Sequence, residues 1–312
     1  MTNELISKYE MALREDGASE NTIARYIQVA NQFIEWHQEL LKTAFDPNNV
    51  SALDLHQWKK YLINEATFQK RNGETKKYSI SSVNNCIVSI RTFFNSLKDM
   101  GLIKTNPAVK LKTQKVNEDF DSEPRWLERN ERNKLVRVIE DEQAEKKNRW
   151  KFARNRAIVY LMLLAGLRVS EVVDAEPEDI SFETGYVFVR DGKGGKARRV
   201  EMNKELRNAL LDWMEMRGEA ETKKLFTSSR GGGALTKRGV EYLYDSLSKK
   251  TGIPDLTTHV PRHTLAHDLI EAGYSLQRVA DILGHSNINY TRNYTKSSTQ
   301  ERREALESLS SI

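Results

Sequence analysis

The sequence predicts a mainly α protein with a small antiparallel β-sheet (α+β), divided into two domains able to close around something long. Three observations predict it. Apolar residues recur at helical spacing through most of the chain. The segment Tyr186 to Met202 reads as two short strands around a glycine-rich turn, a β-hairpin signal. The stretch Lys112 to Pro124 is polar, mixed in charge and nearly free of large apolar residues, which marks a linker between a helical first third and a mixed remainder.

Within residues 1–111, three apolar stripes predict helices. The first runs through Ile23, Tyr26, Ile27, Ala30, Phe33 and Ile34, with Ser19 and Thr22 available as caps. The second is Leu55, Trp58, Tyr61 and Leu62. The third is Ile80, Val83, Ile87, Ile90, Phe94 and Leu97, started by Ser79 and stopped by Gly101. Together they carry enough apolar surface for a small bundle of their own.

After the linker at 112–124, residues 125–312 form the second predicted domain. Leu127 to Gln143 and Asn155 to Leu167 read as helices. Tyr186–Arg190 and Ala197–Met202 are the hairpin strands, joined by Asp191-Gly192-Lys193-Gly194-Gly195-Lys196. Helices return at Lys204 to Arg217, at Lys237 to Lys250, and from His259 onward, punctuated by Gly252, Gly273 and Gly284.

Composition narrows the class. Of 312 residues, 38% are hydrophobic and 30% charged, which fits a globular chain and not a disordered one. No apolar run approaches the ~20 residues needed to span a bilayer, and Met1 to Glu10 lacks the apolar core of a signal peptide. A cytoplasmic location, with no membrane partner, is the expectation. The single cysteine, Cys86, excludes an intramolecular disulfide and sits on an apolar stripe, as a core thiol does. A net charge of +5 and a pI of about 9.0 favour an anionic partner, nucleic acid before membrane.

Four segments could carry chemistry. Arg168 follows the most apolar helix in the chain, and a guanidinium there needs a partner. Glu171 or Asp174 could supply it within the fold, and a ligand could supply it from outside. Lys193 stands among glycines that let backbone approach a ligand, followed by Lys196, Arg198 and Arg199, so the turn is either a solvated basic loop or a phosphate contact. In His259-Val260-Pro261-Arg262-His263, the i, i+4, i+8 spacing of His259, His263 and His267 raises a metal site. Against that, Val260 stands where a zinc protease helix carries its glutamate, and Arg262 shares the segment. Histidines and arginines gathered without carboxylates suit a phosphate better than a cation. Finally, Ser286 can cap a short helix with Tyr290 and Tyr294 one turn apart. Among eleven tyrosines, any single one is ordinarily a packed aromatic.

Taken in order, these pieces resemble a family. Gly166-Leu167-Arg168-Val169-Ser170-Glu171, Gly192-Lys193-Gly194-Gly195-Lys196, His259-x-x-Arg262-His263 and Leu283-Gly284-His285 followed by Tyr294 resemble the signatures of the tyrosine site-specific recombinases, in the Xer-like and phage-integrase branch. The helical first third resembles that family's core-binding (SAM-like) domain. Pro261 departs from the pattern, which more often has leucine there, but proline is tolerated in a first helical turn.

The resemblance implies roles. Tyr294 is the expected nucleophile, joined to a 3′-phosphate, with the spacing from His285 favouring it over Tyr290. A phenol with a pKa of ~10 needs cations to stabilise its anion. Arg168 and Arg262 are expected on the non-bridging oxygens, Lys193 as general acid to the leaving 5′-oxygen, His259 as proton acceptor or hydrogen-bond partner, and His285 as support for the phosphate and the tyrosine. His263 and His267 are left as structural. Lys196, Arg198, Lys237 and Arg238 are expected DNA contacts, with a solvated helix end the alternative for the last two. No metal, cofactor or ATP is implied, because a phosphotyrosyl bond conserves the energy of the broken phosphodiester. Four copies on paired double-stranded DNA sites are implied, alone or with a paralogous recombinase or accessory proteins, reaching exchange through a Holliday junction. Ala305, Leu306, Leu309 and Ile312 recur at helical spacing, which makes the tail a candidate arm for docking on a neighbour.

The expected function is therefore resolution or integration of DNA by a Xer-like or mobile-element recombinase. Helical stripes begin early in the chain, so an extra arm-binding domain is not expected. Other readings are a type IB topoisomerase, which would relax supercoils alone, a silent DNA-binding factor on the same fold, and a metal-dependent nuclease, which EDTA would stop.

Overall fold

A computed structural model describes residues 2–69, 75–115, 124–190 and 197–284. The chain divides into two compact units, Met1–Glu118 and Asp119–Ile312.

The described part of the first unit has four helices, one more than the three stripes predict. These are α1 (Thr2–Glu15), α2 (Glu20–Leu41), α3 (Ala52–Asn64) and α4 (Ile80–Asp99), with a small antiparallel pair β1 (Thr67–Gln69) and β2 (Thr75–Lys77) before α4. Helix α1 buries Tyr9 and Leu13, a shorter stripe interrupted by charges. Ser19, Ser51 and Ser79 cap α2, α3 and α4, each accepting the backbone N–H three residues further on. Aromatic rings fill the centre: Phe33 meets Trp58 and Phe94 edge-on at 5.3 and 5.7 Å, and Tyr9 meets Phe93 at 5.1 Å. Cys86 is buried among them, and burial pushes its thiol up to about 11, so it stays protonated and inert.

Part of the expected linker is tied to this unit. Lys59 donates to the carbonyl of Lys112 at 2.7 Å, and the Asn84 amide pairs with both backbone groups of Gln114 at 2.8 and 2.9 Å. Residues 116–123 lie outside the described residues.

The second unit is built around one buried helix. Its described elements are α5 (Arg129–Ile139), α6 (Glu142–Lys147), α7 (Arg149–Leu164), α8 (Val169–Asp174), strands β3 (Ile180–Ser181), β4 (Tyr186–Val189) and β5 (Arg198–Glu201), then α9 (Lys204–Arg217), α10 (Lys237–Thr251), α11 (Val260–Glu271) and α12 (Leu276–Leu283). Helix α7 is apolar on nearly every side from Ala157 to Leu163, which is the pattern of a helix surrounded by neighbours. It packs against α5, α6, α8, α9 and α11. It ends at Leu164, three residues short of the expected Leu167, because Gly166 adopts a left-handed φ of +63°. The hairpin becomes a three-stranded antiparallel sheet, order β3-β4-β5, with Val189 opposite Arg198 and Val187 opposite Val200.

The start of α5 and the stretch before it are fastened onto α11. The Leu127 N–H donates to Thr264 Oγ1 at 2.8 Å, Trp126 stacks on His267 at 4.4 Å, and Arg132 pairs with Asp268 at 2.7 Å. Three contacts of different kinds thus set the position of the helix that carries Arg262.

Candidate active site

Arg168 is the N-cap residue of α8, directly after the left-handed turn at Gly166. Glu171, one turn in, reaches back with Oε2 to the Arg168 backbone N–H at 2.8 Å and with Oε1 to its Nη1 at 2.8 Å. The partner within the fold is therefore Glu171, yet Arg168 keeps 24% of its side chain exposed while Glu171 keeps 3%.

Glu171 has a second cation. Arg198 grips it with both terminal nitrogens, Nη1 to Oε1 at 2.9 Å and Nη2 to Oε2 at 2.8 Å, a bidentate pair. Burial works to raise the Glu171 carboxyl, but hydrogen bonding and charge from Arg198, then from Arg168, hold it below the ordinary carboxylate value. The group is an ionised carboxylate between two guanidiniums.

Arg198 was expected on DNA. Instead its side chain is turned inward, with 8% exposed. Strand alternation is the physical cause: Arg198 shares a face of β5 with buried Val200, and Arg199 and Glu201 occupy the exposed face. That alternation was a readable signal. It makes Arg199, not Arg198, the outward cation of this strand.

Arg262 is buried in the first turn of α11. Pro261 occupies the second position of that helix, where no intrahelical acceptor awaits its missing N–H. The Arg262 guanidinium donates through Nη1 to the carbonyl of Gly166 and through Nη2 to the carbonyl of Leu283 at 2.7 Å. One planar fork thus joins the residue two before Arg168 to the residue two before His285. Close packing completes the junction. A Cβ on Gly166 would lie 2.7 Å from Leu283 Cδ2, and one on Gly284 would lie 2.7 Å from Arg198 Cδ. Both glycines have positive φ, so each is required twice over.

His259 is exposed at the start of α11, and its ring centre lies 6.3 Å from that of His263. His263 is pushed down to about 4 by burial, then by the charges of His259 and Arg262, and is a neutral imidazole at physiological pH. The stack of His267 on Trp126 gives that ring a packing task. Among the described residues no group of three or more His, Cys, Asp or Glu is placed to hold a metal ion. Lys237 and Arg238 are exposed in the first turn of α10, and Arg238 donates to the Tyr242 hydroxyl at 3.1 and 3.2 Å.

Lys193, Lys196, His285, Tyr290, Tyr294 and the tail with Ala305, Leu306, Leu309 and Ile312 lie outside the described residues. What is described is a cationic junction in which Arg168 and Arg198 share the Glu171 carboxylate and Arg262 braces the Gly166 and Leu283 carbonyls, with exposed His259 and neutral His263 on the Arg262 helix. Such a junction can receive an oxyanion at its exposed arginine.

Comparison with known proteins gives the family. The model of the phage integrase family matches residues 125–301. The tyrosine recombinase XerA of Thermococcus kodakarensis is 31% identical, over 98% of this chain and 95% of its own. A tyrosine recombinase XerC from Leptospira interrogans is 30% identical, over 97% and 91%. Among solved structures, the Tn1549 transposon integrase in complex with transposon right end DNA shares the fold at a TM-score of 0.70 and 22% identity, covering 98% of this chain and 99% of that one.

Proposed function

The chain belongs to the phage integrase family and is a site-specific tyrosine recombinase, and from that premise we propose that it breaks and rejoins DNA through a covalent bond to Tyr294. The observation that carries this reading is the Arg262 fork, which ties the Arg168 turn to the chain leading into His285 and Tyr294.

In the proposed reaction the Tyr294 oxygen attacks the scissile phosphorus. A phosphotyrosyl bond forms at the 3′-phosphate as the bond to the 5′-oxygen breaks. The phenolic proton passes to His259, and Lys193 gives a proton to the leaving oxygen. Arg168 and Arg262 stabilise the charge that grows on the non-bridging oxygens, a task suited to planar guanidiniums. His285 supports the phosphate and the tyrosine's segment. The attack of the freed 5′-hydroxyl of a second duplex reverses each of these transfers, through a Holliday junction.

DNA is the partner class. Four copies on paired sites are the proposed assembly, in the cytoplasm, with the tail docking on a neighbouring copy. Lys237 and Arg238 are proposed backbone contacts. Two cations at the positive end of a helix with no acid in its first turn gain from an external anion. Resolution or integration by a Xer-like or element-borne enzyme is the proposed task. The 31% identity with the XerA relative supports the Xer-like side.

The test is a nicked suicide duplex carrying the candidate site, incubated in EDTA with wild type and with Tyr294→Phe. An SDS-resistant covalent complex with wild type alone is expected. A complex with Tyr294→Phe would move the nucleophile to another residue, Tyr290 first. Loss of the complex in EDTA would favour a metal-dependent reaction.

A further inference from the structure

Arg168 faces a competition that its surroundings make explicit. Its Nη1 donates to Glu171, a carboxylate 2.8 Å away with 3% of its side chain exposed. An arginine paired one-to-one with a buried carboxylate has its charge spent inside the protein, and an incoming phosphate would have to compete with that anion. The pair is not one-to-one. Arg198 takes both oxygens of the same carboxylate in a bidentate grip, with 8% of its side chain exposed, so three groups carry a net positive charge.

The fold makes special room for this second arginine. Strand alternation aims it inward beside Val200, an unusual destination for a charge. Gly284 has a left-handed φ of +66°, and its missing Cβ leaves the space that Arg198 fills, with Nη1 and Nε each about 3 Å from where that atom would stand. Arg198 Nε is buried without a hydrogen-bond partner among the described residues, a cost accepted for the position.

We propose that Arg198 is a positioning residue that compensates the charge of Glu171, so that the partly exposed Arg168 keeps its charge for the DNA phosphate. The inference rests on the recombinase reading of the site. It gives Arg198 an internal task in place of DNA contact, and gives Glu171 the task of aiming Arg168 while its negative charge is compensated by another group.

The test uses the full chain in four forms, wild type, Arg198→Gln, Arg198→Lys and the double variant Arg198→Gln/Glu171→Gln. The rate of covalent complex on the suicide duplex is followed, together with duplex affinity and thermal unfolding. Arg198→Gln should slow the complex by about 100-fold, the scale of losing one oriented charge at such a site, while affinity for DNA changes by less than about threefold. Adding Glu171→Gln should restore at least about tenfold, because removal of the uncompensated carboxylate frees Arg168. Arg198→Lys should stay within about tenfold of wild type, since an ammonium supplies the charge without the fork.

A double variant no faster than Arg198→Gln would overturn the inference. So would Arg198→Lys as slow as Arg198→Gln, which would make the fork a purely geometric clamp. If Arg198→Gln does not fold, Arg198→Lys and the double variant are compared with wild type instead, and a rate more than about tenfold below it in either one overturns the inference. Tyr294→Phe runs on the same gel. A complex there would overturn the nucleophile assignment alone, because the Arg198 comparison is one of rates.

Discussion

Arg262 holds the carbonyl of Gly166 with one terminal nitrogen and the carbonyl of Leu283, 2.7 Å away, with the other. A lysine is a point donor on a flexible stem and cannot span both. Arg262→Lys should therefore leave a buried carbonyl unpaired and cost about 1–3 kcal/mol. Urea unfolding would measure it, and an unchanged midpoint would count against the bracing role.

Gly166→Ala meets two obstacles. The position has a φ of +63°, and the new Cβ would lie 2.7 Å from Leu283 Cδ2 and 3.0 Å from Leu265 Cδ2. A loss of about 1–3 kcal/mol is expected. Gly233→Ala is the control. It has open space and no left-handed φ, so a shift under about 0.5 kcal/mol is expected there. Equal losses at the two sites would mean that close approach at Gly166 is not what matters.

Thr264 accepts the Leu127 N–H at 2.8 Å and donates to the Val260 carbonyl at 2.9 Å, with none of its surface exposed. Thr264→Val keeps the shape and removes the oxygen, leaving a buried N–H unpaired at a cost of about 1–3 kcal/mol. Thr264→Ser should retain most of that stability. Differential scanning calorimetry of the pair would separate the hydrogen bond from the packing.

His263 titrates at about 4 in the folded protein against its ordinary 6.5, because burial and then the charges of His259 and Arg262 disfavour its imidazolium. Between those values the unfolded chain binds a proton that the folded chain does not. Its contribution to stability is complete above about pH 6.5 and is lost as pH falls toward 4. The contribution of Glu171, held low, is lost only below its ordinary 4.5, outside that window. His263→Asn should therefore lose less melting temperature than wild type between about pH 7 and pH 5. Identical losses in both proteins would remove His263 as the source.

A chain truncated after Thr299 should bind a single duplex site as wild type does and fail to form the four-copy complex on paired sites. Native gel shifts with one and two sites would distinguish these. Full assembly by the truncated chain would show that the tail's apolar spacing serves something else.

Much of this protein was legible before any coordinates. Capping serines before periodic stripes placed α2 and α4, and α9 runs over the same residues that its pattern predicts, Lys204–Arg217. Both signals are local, and local signals survive in one dimension. Helix α8 spans six residues and β3 two, too short for a period to declare itself. Helix α1 was overlooked because acids interrupt its stripe, although Tyr9 and Leu13 are buried one turn apart. The inward turn of Arg198 was written in its alternation with Val200, but the basic run around it argued the other way.

What the sequence determined by itself is the inventory: a helical first unit, a mixed second one, and the arginine, lysine, histidine and tyrosine motifs that mark the family. These depend on residue identity and short spacing alone. Tertiary structure decided which cations face outward and which serve one another. Arg198 meets Glu171 from 27 residues away, Arg262 meets Gly166 from 96, and Thr264 meets Leu127 from 137. A charge's task depends on the net field and the burial of its surroundings, and those exist only once distant segments have packed together.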